Sequence, residues 1–128
     1  FHVIIDALFG TGLSRPLSGG ARELIDAAAS RRAAGSVVVS ADVPSGLDAD
    51  TGSVVGGARG SAMAADVTVT FAALKPGLLV PGAASRVGSI VVADIGVPRA
   101  LIEELGVPLE ARRKEPKKPA RIRRSSRG

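Results

Sequence analysis

The feature that most constrains the fold is an apolar run that ends in an acid and a glycine-rich loop. Val3–Ile5 is followed by Asp6, by a loop over 10–16 that contains Gly10 and Gly12, and then by a helical pattern. This order predicts a strand, a turn and a helix, and in an open α/β sheet such a turn lies where ligands bind. Glycines let a ligand approach the main chain. The same pattern also occurs where a tight turn serves packing only.

The residues after this loop have the period of an amphipathic helix. The pattern runs over 21–34, and Gly35 is its predicted end. The predicted apolar face consists of Leu24, Ile25, Ala28 and Ala29. We expect this face to pack on a sheet.

A second apolar run, Val37–Val39, follows the helix and leads to another acid, Asp42. The length of the whole segment fits one βαβ unit. Two parallel strands joined in this way end at the same edge of the sheet. The sequence therefore predicts that Asp6 and Asp42 lie on one edge, next to the glycine-rich loop.

Two further strands and a short helix are predicted, at 67–71, 89–94 and 99–105. Lys75 follows the third strand, so we expect it on the same edge as the two acids. We interpret it as a surface lysine, with neutralisation of a substrate phosphate as the alternative. Other acids are interpreted as turn and strand-end residues: Asp48, Asp50 and Asp94.

The composition of the chain excludes several kinds of site. Its 128 residues include no Cys and a single His, which argues against disulfides, thiol nucleophiles and histidine metal clusters. Apolar residues make up 45% of the chain, with three Phe and no Trp or Tyr. This composition favours a buried parallel sheet covered by alanine-rich helices. No stretch is apolar for long enough to span a membrane, so we predict a cytoplasmic protein.

The positive net charge belongs to the last part of the chain alone. Residues 112–128 carry nine Lys or Arg and one Glu, whereas the other 111 residues carry eight basic and eleven acidic groups. We therefore predict a folded domain over 1–106 and a basic, disordered tail over 107–128. A tail that binds nucleic acid is an alternative to a solvated extension, but no aromatic residue interleaves its charge.

Four motifs, in this order, resemble the YjeF N-terminal domain family, the NAD(P)H-hydrate epimerases. The motifs are Asp6–Pro16, Asp42–Asp48, Val67–Gly77 and Asp94–Pro98. The resemblance implies a Rossmann-like, three-layer α/β domain with a mostly parallel sheet. It also implies an isomerase that interconverts the R and S epimers of hydrated NADH and NADPH, a step in nucleotide repair.

The resemblance assigns roles to individual residues. Asp6 and Ser45 match positions that bind a potassium ion, and oxygen ligands suit such a hard cation. Asp42 matches a carboxylate that contacts the substrate, and we predict that it acts in acid–base catalysis. The predicted substrate-binding residues are Gly10, Thr11, Gly12, Leu13, Ser14, Arg15, Pro16 and Asp42.

The resemblance also implies partners. We expect a small-molecule substrate, a homodimer and an ADP- or ATP-dependent dehydratase domain, with no role for membranes or nucleic acid. The family carries an upstream Asn-Asn-Gly-Gly-Asp segment that is not found in this sequence, so we expect an N-terminally truncated domain. The alternative functions are a non-catalytic binding module of the same family and a nucleotide-binding protein with a nucleic-acid-binding tail.

Overall fold

The computed structural model describes residues 2–106 and shows a sheet of four parallel strands in the order β1-β2-β3-β4. The strands are β1 (Val3–Asp6), β2 (Val37–Ala41), β3 (Val67–Phe71) and β4 (Ser89–Ala93). The predicted α/β fold with a parallel sheet is confirmed. The predicted tail over 107–128 lies outside the described residues.

Three α-helices accompany the strands over residues 2–106. They are α1 (Gly19–Ala33), α2 (Ala84–Val87) and α3 (Arg99–Leu105). Helix α1 ends before Gly35, which has a φ of 100°, as expected for a glycine at a helix C-terminus. Short 3-10 turns fill parts of the connections, at Gly57–Arg59, Pro76–Leu79 and Pro81–Ala83. None of the helices over residues 2–106 combines the length and the hydrophobicity that a membrane span requires.

One face of the sheet is covered by α1 and α2. Ile4 and Val38 are register partners and pack against α1, while Ile90 on β4 packs against the cluster that includes α2. The cluster at α1 consists of Leu17, Ile25, Ala28, Val38, Met63 and Ala65. The cluster at α2 consists of Val43, Leu47, Leu78, Ala83 and Val87. Both clusters lie on the same side because their strand residues are linked by one register.

The predicted apolar face of α1 is only half right. Ile25 and Ala28 are buried, but Leu24 is 56% exposed and Ala29 is also exposed. Successive residues of a helix point about 100° apart, and α1 touches the sheet along a narrow stripe centred on Ile25 and Ala28. Leu24 and Ala29 lie on either side of that stripe.

The opposite face of the sheet carries an apolar row that no part of residues 2–106 buries fully. Val3, Ile5 and Val91 are 54%, 64% and 49% exposed. The row consists of Val3, Ile5, Val37, Val39, Val67, Val69, Phe71 and Val91. Side chains alternate between faces along a strand, so the register alone sets this row apart from the buried one. Within the described residues, α1 and α2 form a single layer on the other side.

Asp66, just before β3, ties the sheet to α1. One of its carboxylate oxygens accepts hydrogen bonds from Arg32 Nε and Nη2 at 2.9 and 2.7 Å. The other accepts from the backbone N–H of Val38 at 2.8 Å. The bond from Arg32, followed by that from Val38, lowers the pKa of Asp66 below the ordinary value.

We expect Asp66→Asn to lower the free energy of unfolding at pH 7 by about 1 kcal/mol, a modest value because the ion pair is about one-third exposed. Because the pKa is lowered in the folded state, the contribution of Asp66 is present above about pH 5 and is lost as the pH falls below about 4. Urea denaturation at pH 7 and pH 3 should show a smaller deficit at pH 3 than at pH 7, because the pKa of Asp66 is lowered in the folded state. Asp26→Asn, an exposed acid on α1, is the control, and an equal deficit at both pH values would contradict the prediction.

Candidate active site

The carboxyl edge of the sheet contains a buried acid, Asp6, at the end of β1. It is 1% exposed, and its carboxylate accepts three hydrogen bonds. Ser40 Oγ and Ser45 N donate to Oδ2 at 2.7 and 2.9 Å, and Ser45 Oγ donates to Oδ1 at 2.5 Å. Neither ion pair found within residues 2–106 involves Asp6. Its negative charge is therefore held by neutral donors alone.

Ser45 reaches Asp6 because the chain turns sharply after β2. Pro44 lacks a backbone N–H and cannot extend the ladder, and its carbonyl accepts from Leu47 N at 3.0 Å. Gly46 has a φ of 94°, and a Cβ there would lie 2.1 Å from the Ser61 carbonyl oxygen. Only glycine fits this conformation and this close approach. The turn therefore fixes Ser45 over the end of β1.

Ser45 also joins Asp6 to the glycine-rich loop. Its hydroxyl oxygen accepts from Phe9 N at 3.0 Å and lies 3.2 Å from the Phe9 carbonyl oxygen. The structure thus brings together Asp6 and Ser45, the two predicted ion-binding residues. Sequence reasoning missed Ser40, because its place opposite Asp6 depends on the β1–β2 register, which the structure gives.

The glycine-rich loop forms an open cleft of about 420 Å³, lined by Phe9 to Arg15. That volume is within the range of small-molecule sites. Gly12 has a φ of 93°, a left-handed conformation that favours glycine. Six of the seven predicted loop residues line the cleft. The seventh, Pro16, packs closely against Gly56 and so anchors the end of the loop.

Asp42 lies directly against this loop, as the predicted shared edge requires. Its Oδ2 is 3.4 Å from the position that a Cβ on Gly10 would occupy. Its Oδ1 is 2.6 Å from Lys75 Nζ. Asp42 has a φ of 69°, a left-handed conformation that Asp tolerates better than most residues. The prediction that Asp6 and Asp42 share one edge is confirmed.

The prediction that Lys75 is a surface lysine is wrong, because its side chain is largely buried and bonded. Its side chain is only 20% exposed, and Nζ donates to the Phe71 carbonyl oxygen at 2.7 Å. The expectation that it lies on the same edge as the acids is confirmed, and its partner is Asp42. Its place just after β3 was the available signal, but the sequence alone gave no partner for its charge.

Two of the remaining acids stabilise turns, as predicted. Asp48 Oδ1 accepts from the backbone N–H of Thr51 and of Asp50 at 2.7 and 3.0 Å, and the bonds from Thr51 lower the pKa of Asp48. Asp94 accepts from Gly96 N at 2.8 Å. These are local bonds within loops, and neither acid bonds to the residues around Asp6 or Asp42.

The groups around Asp6 are suited to a hard cation. Carboxylate, hydroxyl and carbonyl oxygens converge there from Asp6, Ser40, Ser45 and Phe9. Over residues 2–106 no group of three or more His, Cys, Asp or Glu is placed to hold a metal ion. A single carboxylate among neutral oxygens matches a singly charged ion better than a transition metal.

Comparison with known proteins gives consistent matches. The family described as "YjeF-related protein N-terminus" matches residues 1–77. A bifunctional NAD(P)H-hydrate repair enzyme Nnr of Thermofilum pendens is 44% identical over 121 residues, which is 94% of this chain and 22% of that protein. An NAD(P)H-hydrate epimerase of Weissella koreensis is 46% identical over 97 residues, 76% of this chain and 41% of that protein.

A third relative, the bifunctional NAD(P)H-hydrate repair enzyme Nnr of Pyrobaculum aerophilum, is 44% identical over 100 residues, 76% of this chain and 18% of that protein. The matched region thus spans less than half the length of each of these relatives.

Proposed function

The chain belongs to the family of YjeF-related N-terminal domains, and we propose that it is an NAD(P)H-hydrate epimerase, an isomerase acting on hydrated NADH and NADPH. A relative that carries this name is 46% identical to the chain over 97 residues. The observation that carries the proposal is the position of Asp42. Its free carboxylate oxygen faces the glycine-rich loop, which places an acid–base group beside a cleft of ligand size.

The proposed reaction inverts C6 of the hydrated nicotinamide ring. The C6–O bond breaks as the ring nitrogen donates its electron pair and the leaving hydroxyl takes a proton. The product of this step is an iminium cation and a water molecule. Water then adds to the other face of C6 and gives up a proton. Asp42 would stabilise the cation and transfer the proton in both steps.

The glycine-rich loop would hold the pyrophosphate of the substrate. Backbone N–H groups of such a loop suit an anion, and Arg15 can grip a phosphate through two parallel hydrogen bonds. Arg15 is exposed and forms no ion pair within residues 2–106. Ser14, also on the lining of the cleft, adds a hydroxyl donor.

We propose that a potassium ion binds beside Asp6 and Ser45. The support is the oxygen-only donor set and the buried charge of Asp6, which no cationic side chain of the described residues neutralises. A buried charge without a counter-charge is costly, and a bound monovalent ion would reduce that cost. The ion would fix the loop that carries Ser45 relative to Phe9.

We also propose that the product passes to a dehydratase, since two relatives are called bifunctional repair enzymes. The homodimer and the cytoplasmic location stay predictions.

The test is to incubate the purified protein with one epimer of hydrated NADH and to follow the other by chromatography. The rate measured in buffer without protein is subtracted. We expect a clear acceleration that scales with protein concentration.

A protein that leaves the buffer rate unchanged would contradict the proposal. If such a protein still bound the hydrate in a direct titration, the non-catalytic binding module would be the better description. Hydrated NADPH, tested in parallel, gives the preference between the two nucleotides.

A further inference from the structure

We propose that Lys75 is a positioning residue that sets which oxygen of Asp42 faces the substrate. The inference rests on the proposed epimerase function and adds a residue to it. The ammonium group of Lys75 lies 2.6 Å from Asp42 Oδ1 and 2.7 Å from the Phe71 carbonyl oxygen. It therefore joins the carboxylate to the end of β3.

The two oxygens of Asp42 have different surroundings. Oδ1 faces Lys75, while Oδ2 faces Gly10 in the glycine-rich loop. Other donors to Oδ1 are distant, since Thr70 Oγ1 and Phe71 N both lie at 3.4 Å, where hydrogen bonds are weak. The bond from Lys75 is the one short contact that fixes the carboxylate among residues 2–106, and it leaves Oδ2 beside Gly10 of the glycine-rich loop.

The backbone near Lys75 is held in place. Pro76 has a fixed φ and restricts the backbone of Lys75 before it. The Gly77 N–H donates to the Ala49 carbonyl oxygen at 2.7 Å. A Cβ on Gly77 would lie 2.5 Å from the Asp48 carbonyl oxygen, so this segment fits tightly against the Asp48 loop. A side chain that starts from so rigid a segment can hold its partner in one orientation.

The same contacts argue against a phosphate-binding role for Lys75. An ammonium group has three N–H donors, and two of them are used by Asp42 and Phe71. Only 20% of the Lys75 side chain is exposed to solvent. Arg15, which is exposed on the cleft lining, is the better placed cation for phosphate.

The test compares Lys75→Met, which keeps the apolar stem and removes the charge, with Lys75→Arg, which keeps the charge. If Lys75 acts by positioning Asp42, Lys75→Met lowers kcat by about tenfold and leaves KM unchanged, because a displaced group slows the chemical step. Lys75→Arg recovers part of the loss. Arg59→Met removes an exposed cation that forms no ion pair in residues 2–106 and is expected to leave kcat and KM unchanged.

A double variant decides whether Lys75 acts through Asp42. In the Asp42→Asn background, Lys75→Met should cause no further loss of kcat, since the two residues act as one unit. Independent, multiplying losses would overturn the proposal, and so would a raised KM, which would indicate contact with substrate. Unchanged kinetics with a lowered melting temperature would show a purely structural role.

A second double-mutant cycle measures the free energy of unfolding instead of activity. It compares the wild-type protein, Lys75→Met, Asp42→Asn and the double variant, and it separates this inference from the proposed function. If Lys75 and Asp42 are coupled, Lys75→Met shifts the unfolding equilibrium by several-fold in the wild-type background and much less in Asp42→Asn. This result does not depend on activity. An inactive wild-type protein with a clear coupling would end the epimerase proposal and leave the pairing standing. An active protein without any coupling would end the Lys75 proposal alone.

Discussion

Replacing Asp6 with alanine is expected to lower the free energy of unfolding by about 3 kcal/mol. The substitution leaves the backbone N–H of Ser45 and the hydroxyl of Ser40 without their acceptor in a site that is 1% exposed. Each buried donor that loses its partner costs roughly 1–3 kcal/mol. Because small domains are stable by only about 5–15 kcal/mol in total, the variant should lose a large part of its stability.

Urea denaturation measures this loss of stability, and two further variants serve as comparisons. In Asp6→Asn the amide oxygen replaces Oδ2, and the amide NH₂ faces Ser45 Oγ, which can turn to accept. We therefore expect Asp6→Asn to lose less than Asp6→Ala. Asp50→Ala removes an exposed acid that accepts no side-chain bond within residues 2–106 and should change stability by less than about 0.5 kcal/mol.

The same variants test the proposed cation. If an ion binds beside Asp6, the wild-type melting temperature should rise in potassium chloride relative to choline chloride at equal ionic strength. Asp6→Asn, which lacks the charge, should lose that difference. A wild-type protein that melts at the same temperature in both salts would argue against the ion, and a loss below 1 kcal/mol in Asp6→Ala would argue against the hydrogen-bond account.

Local sequence patterns predict the elements of this fold well. The helix at Arg99–Leu105 and the strand at Val67–Phe71 have the predicted bounds, because capping, glycine stops and β-branched runs are local signals. The shared edge of Asp6 and Asp42 also follows from sequence. It needs only the rule that strands joined by a helix run parallel, and the register of β1 and β2 bears this out.

Contacts between distant segments could not be predicted in this way. Ser40 was overlooked as a donor to Asp6 and Lys75 as the partner of Asp42, since both pairings depend on register and on the path of a loop. The exposure of Leu24 depends on how α1 is rotated against the sheet. The uncovered apolar face arises in a similar way, because the order β1-β2-β3-β4 and the placement of α1 and α2 decide which side is buried.

The Asp42→Asn variant is expected to epimerise hydrated NADH at least about 100-fold more slowly than the wild-type protein, the usual contribution of a general acid–base group. Asn has nearly the same shape and also tolerates the left-handed φ of 69° at this position. Lys75 keeps its bond to the Phe71 carbonyl oxygen. The fold should therefore persist, and the loss should appear in kcat with little change in KM.

Asp94→Asn provides the matched control for this substitution. Asp94 also follows a strand and accepts one backbone bond, from Gly96 at 2.8 Å, but it does not bond to the residues around Asp6 or Asp42. Its variant should retain the wild-type rate, and both variants should melt within a few degrees of the wild-type protein. If Asp42→Asn retained the wild-type rate as well, the carboxylate would have no part in the chemistry. A protein that lost kcat only together with its melting transition would instead show that Asp42 acts through the fold, because acid–base chemistry predicts a slow but folded variant.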